Sequence, residues 1–349
     1  MRKNDKTSMK ITVGLGSIDD YPDFVRAGAD EIFCGYIPDC WMKREGFDNP
    51  MNRREVRYVN VQAGSWSEME ILADMRAALG VPVTITMNSP YYDPDGYPVI
   101  MEMMIRCADI GFDSFIAADP GLIDYLNRNL SPADRKKLHF HLSGETGEIN
   151  RYVIADARKA GISRIIFQRK CSLSDMATMI RTMREGRTCE MAARSDSYVL
   201  PGKEKENRKS APMEYEAFLL NEMCEFSGCY CNTLHCDEFA PACRIPYRME
   251  SGKTIPDDFP DPDEDAVGAG GCGLCALWEM RDIGINVLKI VSRGNYTENT
   301  IRDIRAVKRV LEILEDAPDE AGYIRRMKQE LFPGGCGGVC YYRQRTKNK

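Results

Sequence analysis

The chain has 349 residues, 43% of them hydrophobic and 29% charged, with a formal net charge of −6 at pH 7. That composition is ordinary for a soluble protein, long enough for one large α/β domain or two smaller ones, and offers no broad attraction for nucleic acid. No apolar segment approaches the ~18 residues of a membrane helix, and the start (MRKNDKTSMKITVGLG) carries no signal-peptide run, so the expectation is a cytoplasmic chain with reduced cysteines and no membrane partner.

Short apolar runs then alternate with amphipathic stretches. Lys10 to Leu15 (KITVGL) reads as a strand, Asp19 to Ala27 as a helix, and Glu31 to Gly35 as a second strand. A segment with Trp41, Phe47 and Asn49 has no clear period, as in an active-site loop. Ser67 to Leu79 has helical spacing, with Ser67 and Glu70 fitting a capping box. Val81 to Met87, Ser114 to Ala118, Leu138 to Leu142 and Arg164 to Gln168 read as strands three to six. The helices between and after them fall over Val99 to Asp109, Gly121 to Asn129, Ile149 to Ala160 and Ser172 to Arg184.

Such units, each of ~25 to 35 residues, predict parallel strands with helical crossovers, in a closed barrel or an open doubly wound sheet. Gly28-Ala29-Asp30, Gly111-Phe112-Asp113 and Gly161-Ile162-Ser163 punctuate the helix-to-strand returns alike, which favours the barrel. Gly14-Leu15-Gly16 stops short of a dinucleotide fingerprint. The polar stretch 188–212 reads as a surface insertion, Met213 to Leu220 as the seventh strand, and residues 249–270 as an acidic, proline-rich loop. Trp278 to Ile283 is helical, Asn286 to Val291 is the eighth strand, and Glu298 to Glu315 is a periodic helix. The fold expected is a (β/α)8 TIM-like barrel over 1–315, with a cysteine-rich metal-binding segment at 221–275 after strand seven. Residues 316–349 form a C-terminal extension.

Nine of the 14 cysteines lie beyond residue 220: Cys224, Cys229, Cys231, Cys236, Cys243, Cys272, Cys275, Cys336 and Cys340. Thiolates gathered this way suit soft metal, as iron–sulfur or as zinc, better than the disulfide framework of a small secreted chain. Cys336-x3-Cys340 lacks the third cysteine of a radical-SAM motif. Cys34, Cys40, Cys107, Cys171 and Cys189 read instead as small buried apolar residues.

Several motifs in order resemble the peptidase U32 family, the collagenase-like group, over roughly Lys10 to Arg305. They are Gly16-Ser17 with AGADEIFCG, Met87-Asn88, Ala118-Asp119-Pro120-Gly121, HLSGETGEIN from His141, Gln168 to Leu173, FLLNEMCEFSGCYC, Cys243-Arg244 with Tyr247, and LKIVSR. The resemblance implies an iron–sulfur enzyme with a four-cysteine [4Fe–4S] cluster, of the kind that hydroxylates RNA or a ubiquinone precursor, often with an oxygen-independent hydroxyl donor. It implies an RNA or small aromatic substrate and allows a partner U32 protein. The family's older label also carries a collagenase-like peptidase alternative. The chain departs from the pattern at Val291-Ser292, where the family has Glu-Gly, and at Asn221-Glu222, where it has His-Gly. Cys229, Cys236, Cys336 and Cys340 are additional.

By position, the expected ligands are Cys224, Cys231, Cys243 and Cys272 or Cys275. Cys272-x2-Cys275 with Cys336-x3-Cys340 is an alternative separate four-thiolate site, and spacing does not separate one site from two. His139 and His141 share one face of a strand, His235 stands beside Cys236, and Arg343 to Lys349 reads as a solvated tail. The expected catalytic set is His141, Glu145, Arg169, Lys289 and Arg293, ringed with Asn88 and Asp119 at the strands' C-terminal ends, against a structural network of ion pairs inside the barrel. No H-E-x-x-H or G-x-S-x-G is present, which weakens peptidase chemistry. A zinc-stapled, non-catalytic binding module is the remaining alternative.

Overall fold

The computed structural model describes residues 9–45, 51–52, 62–185, 212–224 and 266–342. Its first half runs β1 (Lys10–Leu15), α1 (Tyr21–Ala27), β2 (Glu31–Gly35), α2 (Asp39–Glu45), α3 (Trp66–Leu79), β3 (Val83–Met87), α4 (Tyr97–Asp109), β4 (Ser114–Ala117), α5 (Pro120–Asn129), α6 (Pro132–Lys137) and β5 (His139–Leu142). The second half runs α7 (Arg151–Lys159), β6 (Ile162–Ile166), α8 (Leu173–Arg184), β7 (Glu214–Leu220), α9 (Leu277–Ile283), β8 (Val287–Ile290), α10 (Thr297–Asp316) and α11 (Glu320–Leu331). The strands pair in parallel and in chain order, β1 closing on β8, so the sheet is the expected eight-stranded barrel. Among the described residues no helix is long and apolar enough to cross a membrane.

Local chemistry sets these elements. Gly28, Gly111 and Gly161 adopt φ of 111°, 109° and 79°, a left-handed turn that a side chain would strain, which is why the same punctuation recurs before β2, β4 and β6. The capping box of α3 is Ser65 with Glu68, two residues ahead of the expected Ser67 and Glu70, because Ser65 holds the extended backbone that lets its hydroxyl accept from the Glu68 N–H. Three short or late helices, α2, α6 and α11, were not apparent from periodicity. Cys34, Cys107 and Cys171 are buried as expected, but Cys40 is exposed on α2. The insertion expected over 188–212 lies outside the described residues except for Pro212, as do Cys189, Cys229, Cys231, Cys236, Cys243 and His235.

Period-two alternation divides the strands into two faces. Outward side chains such as Ile11, Val13, Ile32, Ile85, Phe115, Ile165, Ala217 and Leu288 join the main core beneath the helices. The inward face differs from the branched aliphatic layers usual in such barrels. Its lower half is ionic. Arg164 of β6 reaches across the barrel to Glu31 of β2 at 2.6 Å and bonds Glu214 and Glu216 of β7 at 2.6 and 3.2 Å. Lys289 of β8 bonds Glu216 at 2.7 Å, and Lys10 of β1 joins Glu31 and Glu214 at 3.0 and 3.1 Å. Above this layer sits a small apolar cluster of Phe33, Ile116, Ile166, Phe218, Val291 and Tyr341.

Burial alone would lift the Glu31 carboxyl, but Arg164 and Lys10 outweigh it and hold it below its ordinary value. His141 of β5 stands in the same interior. Burial, then Arg164, Lys289, His139 and Lys10, push it well below the usual 6.5, and its Nδ1 is buried with no hydrogen-bond partner among the described residues.

The ionic layer should make Arg164 costly to remove. Arg164→Met removes the cation shared by Glu31, Glu214 and Glu216, leaves Lys10 and Lys289 against three carboxylates, and should destabilise by about 3–5 kcal/mol. Lys10→Met, at a half-exposed side chain, should cost less than about 1 kcal/mol. Urea unfolding of the two variants checks this, and equal losses would contradict a cross-barrel role for Arg164.

His141 gives a pH dependence. Below pH 6.5 the unfolded chain takes up a proton here that the folded barrel refuses, so the contribution is complete above 6.5 and is lost as pH falls. Denaturation midpoints should therefore drop between about pH 7 and about pH 5, and the drop should shrink in His141→Gln. An unchanged slope in that variant would assign the acid sensitivity elsewhere.

Candidate functional site at the barrel mouth

The mouth is built where strands end and loops begin. β7 leaves the sheet through Asn221 and Glu222, both non-glycine residues in the left-handed region with φ of 68° and 49°. Strain of this kind persists only where surroundings over-determine it. Here the Asn221 side chain donates to buried Asp303 of α10 at 2.7 Å, its N–H donates to the Gly271 carbonyl at 2.8 Å, and its carbonyl accepts from the Tyr341 hydroxyl. The Met223 N–H adds a bond to the Gly270 carbonyl at 2.7 Å. Residues 221–223 are thereby clamped beside 270–271, and this clamp brings Cys224 and Cys272 to the same end of the barrel.

Arg169, after β6, lies next to that clamp. Its Nη1 bonds Glu145 at 3.0 Å, its Nε donates to the Glu222 carbonyl at 3.0 Å, and its guanidinium lies 4.2 Å over the Phe218 ring. Burial works against the charge, but Glu145 foremost, then Tyr341, Glu222 and Cys224, raise its proton affinity above the ordinary value. Glu145 is itself set by the turn Gly144–Thr146, whose Ser143 hydroxyl accepts from the Glu145 N–H.

Arg293, after β8, occupies the other flank. It donates to Asn52 at 3.1 Å and to Thr86 at 3.3 Å. Two inward glycines make its room. A Cβ on Gly35 would stand 3.0 Å from the guanidinium, and one on Gly14 would meet the Phe33 ring at 2.9 Å and Arg293 Cγ at 3.1 Å.

The other expected site residues fall elsewhere. Asp119 caps α5, accepting from the Gly121 N–H at 2.7 Å, the Tyr92 N–H at 3.0 Å and the Tyr97 hydroxyl at 3.0 Å, so its lone pairs are committed to the scaffold. Lys289 lies inside β8 below the mouth, bonded to Glu216 and 3.6 Å over Phe33, and burial depresses its pKa. His141 is at the same depth. Asn88 does stand at the mouth, 3.5 Å from the Ser143 hydroxyl. Arg164 and Glu216 were not among the expected residues, although Arg and Glu at alternate positions of apolar strands are a signal for inward charge.

Cys224, Cys272 and Cys275 are described, whereas Cys231 and Cys243 lie outside the described residues. Among the described residues no three His, Cys, Asp or Glu side chains stand close enough together to grip an ion. Of the three, Cys224 stands beside cationic Arg169.

No curated protein matches the chain. A solved structure named as the U32 peptidase Mk0906 is 11% identical over 84% of this chain and 96% of that one, with a TM-score of 0.43. Dihydrodipicolinate synthase from Bacillus clausii is 10% identical over 94% and 80%, at 0.45, and thiamine phosphate pyrophosphorylase from Pyrococcus furiosus is 9% identical over 89% and 99%, at 0.42. Likenesses this remote say nothing about chemistry. The family match is of another order: the description of peptidase family U32 fits residues 16–334, and on that span this protein belongs to the family.

Proposed function

We propose that the chain is an iron–sulfur enzyme of the hydroxylation type, acting at the barrel mouth on a flat aromatic group, either an RNA nucleobase or a small aromatic molecule. The observation that carries this reading is the composition of the mouth. An apolar floor containing Phe33, Phe218 and Tyr341 is flanked by two guanidinium groups, with a thiol, Cys224, beside one of them.

The thiolates that would hold a [4Fe–4S] cluster begin with Cys224 and continue through the segment carrying Cys231 and Cys243, with Cys272 and Cys275 alongside. When bound, such a group supplies electron transfer or activation of a bound substrate. The chain's own residues do the rest. Phe218 underlies the Arg169 guanidinium and forms part of the apolar floor, Arg169 and Arg293 suit phosphate or carboxylate recognition through their planar forks, and Glu145 fixes the direction of Arg169. The ionic layer beneath fills the barrel, so substrate is confined to the rim.

Protein purified without oxygen should carry iron and acid-labile sulfide in about equal amounts, and RNA or small aromatics incubated with it and a hydroxyl donor, which supplies the oxygen atom and is itself reduced by two electrons, should gain the mass of one oxygen. Zinc alone, without sulfide, would overturn the reading. Arg169→Lys keeps the charge but loses the fork, so it should lower kcat/KM by about tenfold to a hundredfold. Iron content should be unchanged in that variant. Unaltered turnover would assign Arg169 to structure only.

A further inference from the structure

The C-terminal segment does not trail away from the barrel. After α11 the chain turns through Pro333 to Gly338 and comes back to the end of β7. The Cys272 N–H donates to the Val339 carbonyl at 2.8 Å, and the Tyr341 N–H donates to the Cys272 carbonyl at 2.9 Å. Glycines on either side of Cys272 admit the two tyrosine rings. A Cβ on Gly271 would stand 3.0 Å from the Tyr341 ring, and one on Gly273 would stand 3.0 Å from the Tyr342 ring. Tyr342 is tied to β7 itself, its hydroxyl donating to the Phe218 carbonyl at 2.7 Å.

Tyr341 reaches further, into the apolar floor of the mouth. Its ring lies against Phe218 with centroids 6.3 Å apart, and the Arg169 guanidinium lies 4.2 Å over that same ring. The two residues also hold consecutive carbonyls of one strained turn. The Tyr341 hydroxyl donates to the Asn221 carbonyl, and Arg169 Nε donates to the Glu222 carbonyl at 3.0 Å. The Arg169 guanidinium donates in turn to the Tyr341 hydroxyl oxygen, which closes a ring of contacts. Phenylalanine would fill the same space. What the hydroxyl adds is a grip on Arg169 and on a residue held at φ 68°.

We infer that Tyr341 is a positioning residue of the mouth: through the Asn221–Glu222 turn it fixes the fork of Arg169, so the C-terminal segment is a working part of the site. The inference rests on the reading in which Arg169 recognises an anionic group of the substrate. Without the hydroxyl, Glu145 still holds one arm of the guanidinium, so the charge stays and its direction is loosened. Substrate binding then weakens, while the bond-making step keeps its rate.

The test compares Tyr341→Phe with Tyr342→Phe in the full chain, prepared without oxygen. Each variant removes one tyrosine hydroxyl from the same returning segment, so a purely structural tail predicts equal effects. The Asn221 and Met223 amides, bonded to the Gly271 and Gly270 carbonyls, should exchange with deuterium about fivefold faster in Tyr341→Phe. KM for a phosphate- or carboxylate-bearing aromatic should rise about fivefold to tenfold, with kcat and iron content unchanged. Tyr342→Phe should leave exchange and KM at the unsubstituted level. Equal effects of the two variants, unchanged exchange in Tyr341→Phe, or a lowered kcat with unchanged KM would overturn the inference. Exchange is read without substrate, so the two readings fail separately. Absence of iron and of product, with faster exchange in Tyr341→Phe alone, overturns the hydroxylation reading and upholds Tyr341 as the residue that positions the turn.

Discussion

The structure turns on one buried guanidinium. Arg164 joins β6 to β2 across the barrel and gathers Glu31, Glu214 and Glu216 around itself. A charge this deep is tolerable only with its partners in place, because desolvation is costly and removal of one partner exposes the others. The same requirement fixes Lys289, whose ammonium neutralises Glu216, and keeps His141 uncharged among cations. The ionic layer is therefore a cooperative object, and the register of β2, β6, β7 and β8 is tied to it. Its net contribution over an aliphatic filling is small by the general behaviour of buried ion pairs; what it enforces is a particular arrangement of strands.

The exit from β7 is the second fixed point. Asn221 and Glu222 take up left-handed backbone at a cost of order 1–3 kcal/mol each, offset by the bonds of Asn221 to Asp303, Gly271 and Tyr341. Three parts of the chain that are distant in sequence, α10, the 270–272 segment and the C-terminal return, meet on this one residue. The direction in which Cys224 leaves the barrel follows from that convergence.

Much of the barrel was readable from the sequence because its outer face alternates cleanly and its helix-to-strand turns repeat one glycine conformation. What escaped did so for physical reasons. Arg164 opens an apolar run in the sequence, and a single strand does not reveal a partner four strands away on the opposite side of the barrel. Asp119 was read as a site residue because it ends a strand, yet Asp-Pro-Gly is also a helix start, with Asp as cap and Pro at the first turn. Arg169 and Arg293 were found from their position after strands, a rule of barrel geometry and not of local pattern. The return of the tail to Cys272 had no local signal beyond the spacing of Cys336 and Cys340.

Depth is the remaining constraint. The lower interior is occupied by six charged side chains with mutual bonds, and the apolar cluster above it is already closed by Phe33, Ile116, Ile166, Phe218 and Val291. A ligand cannot descend past that floor without breaking the ionic layer. Under the proposed function, the chemistry is therefore confined to the rim, within reach of Arg169, Arg293 and the thiol of Cys224. Lys289 and His141 lie just below the floor. There Lys289 is a cation beneath Phe33, and burial among cations favours the neutral ring of His141, so both contribute to the field at the rim.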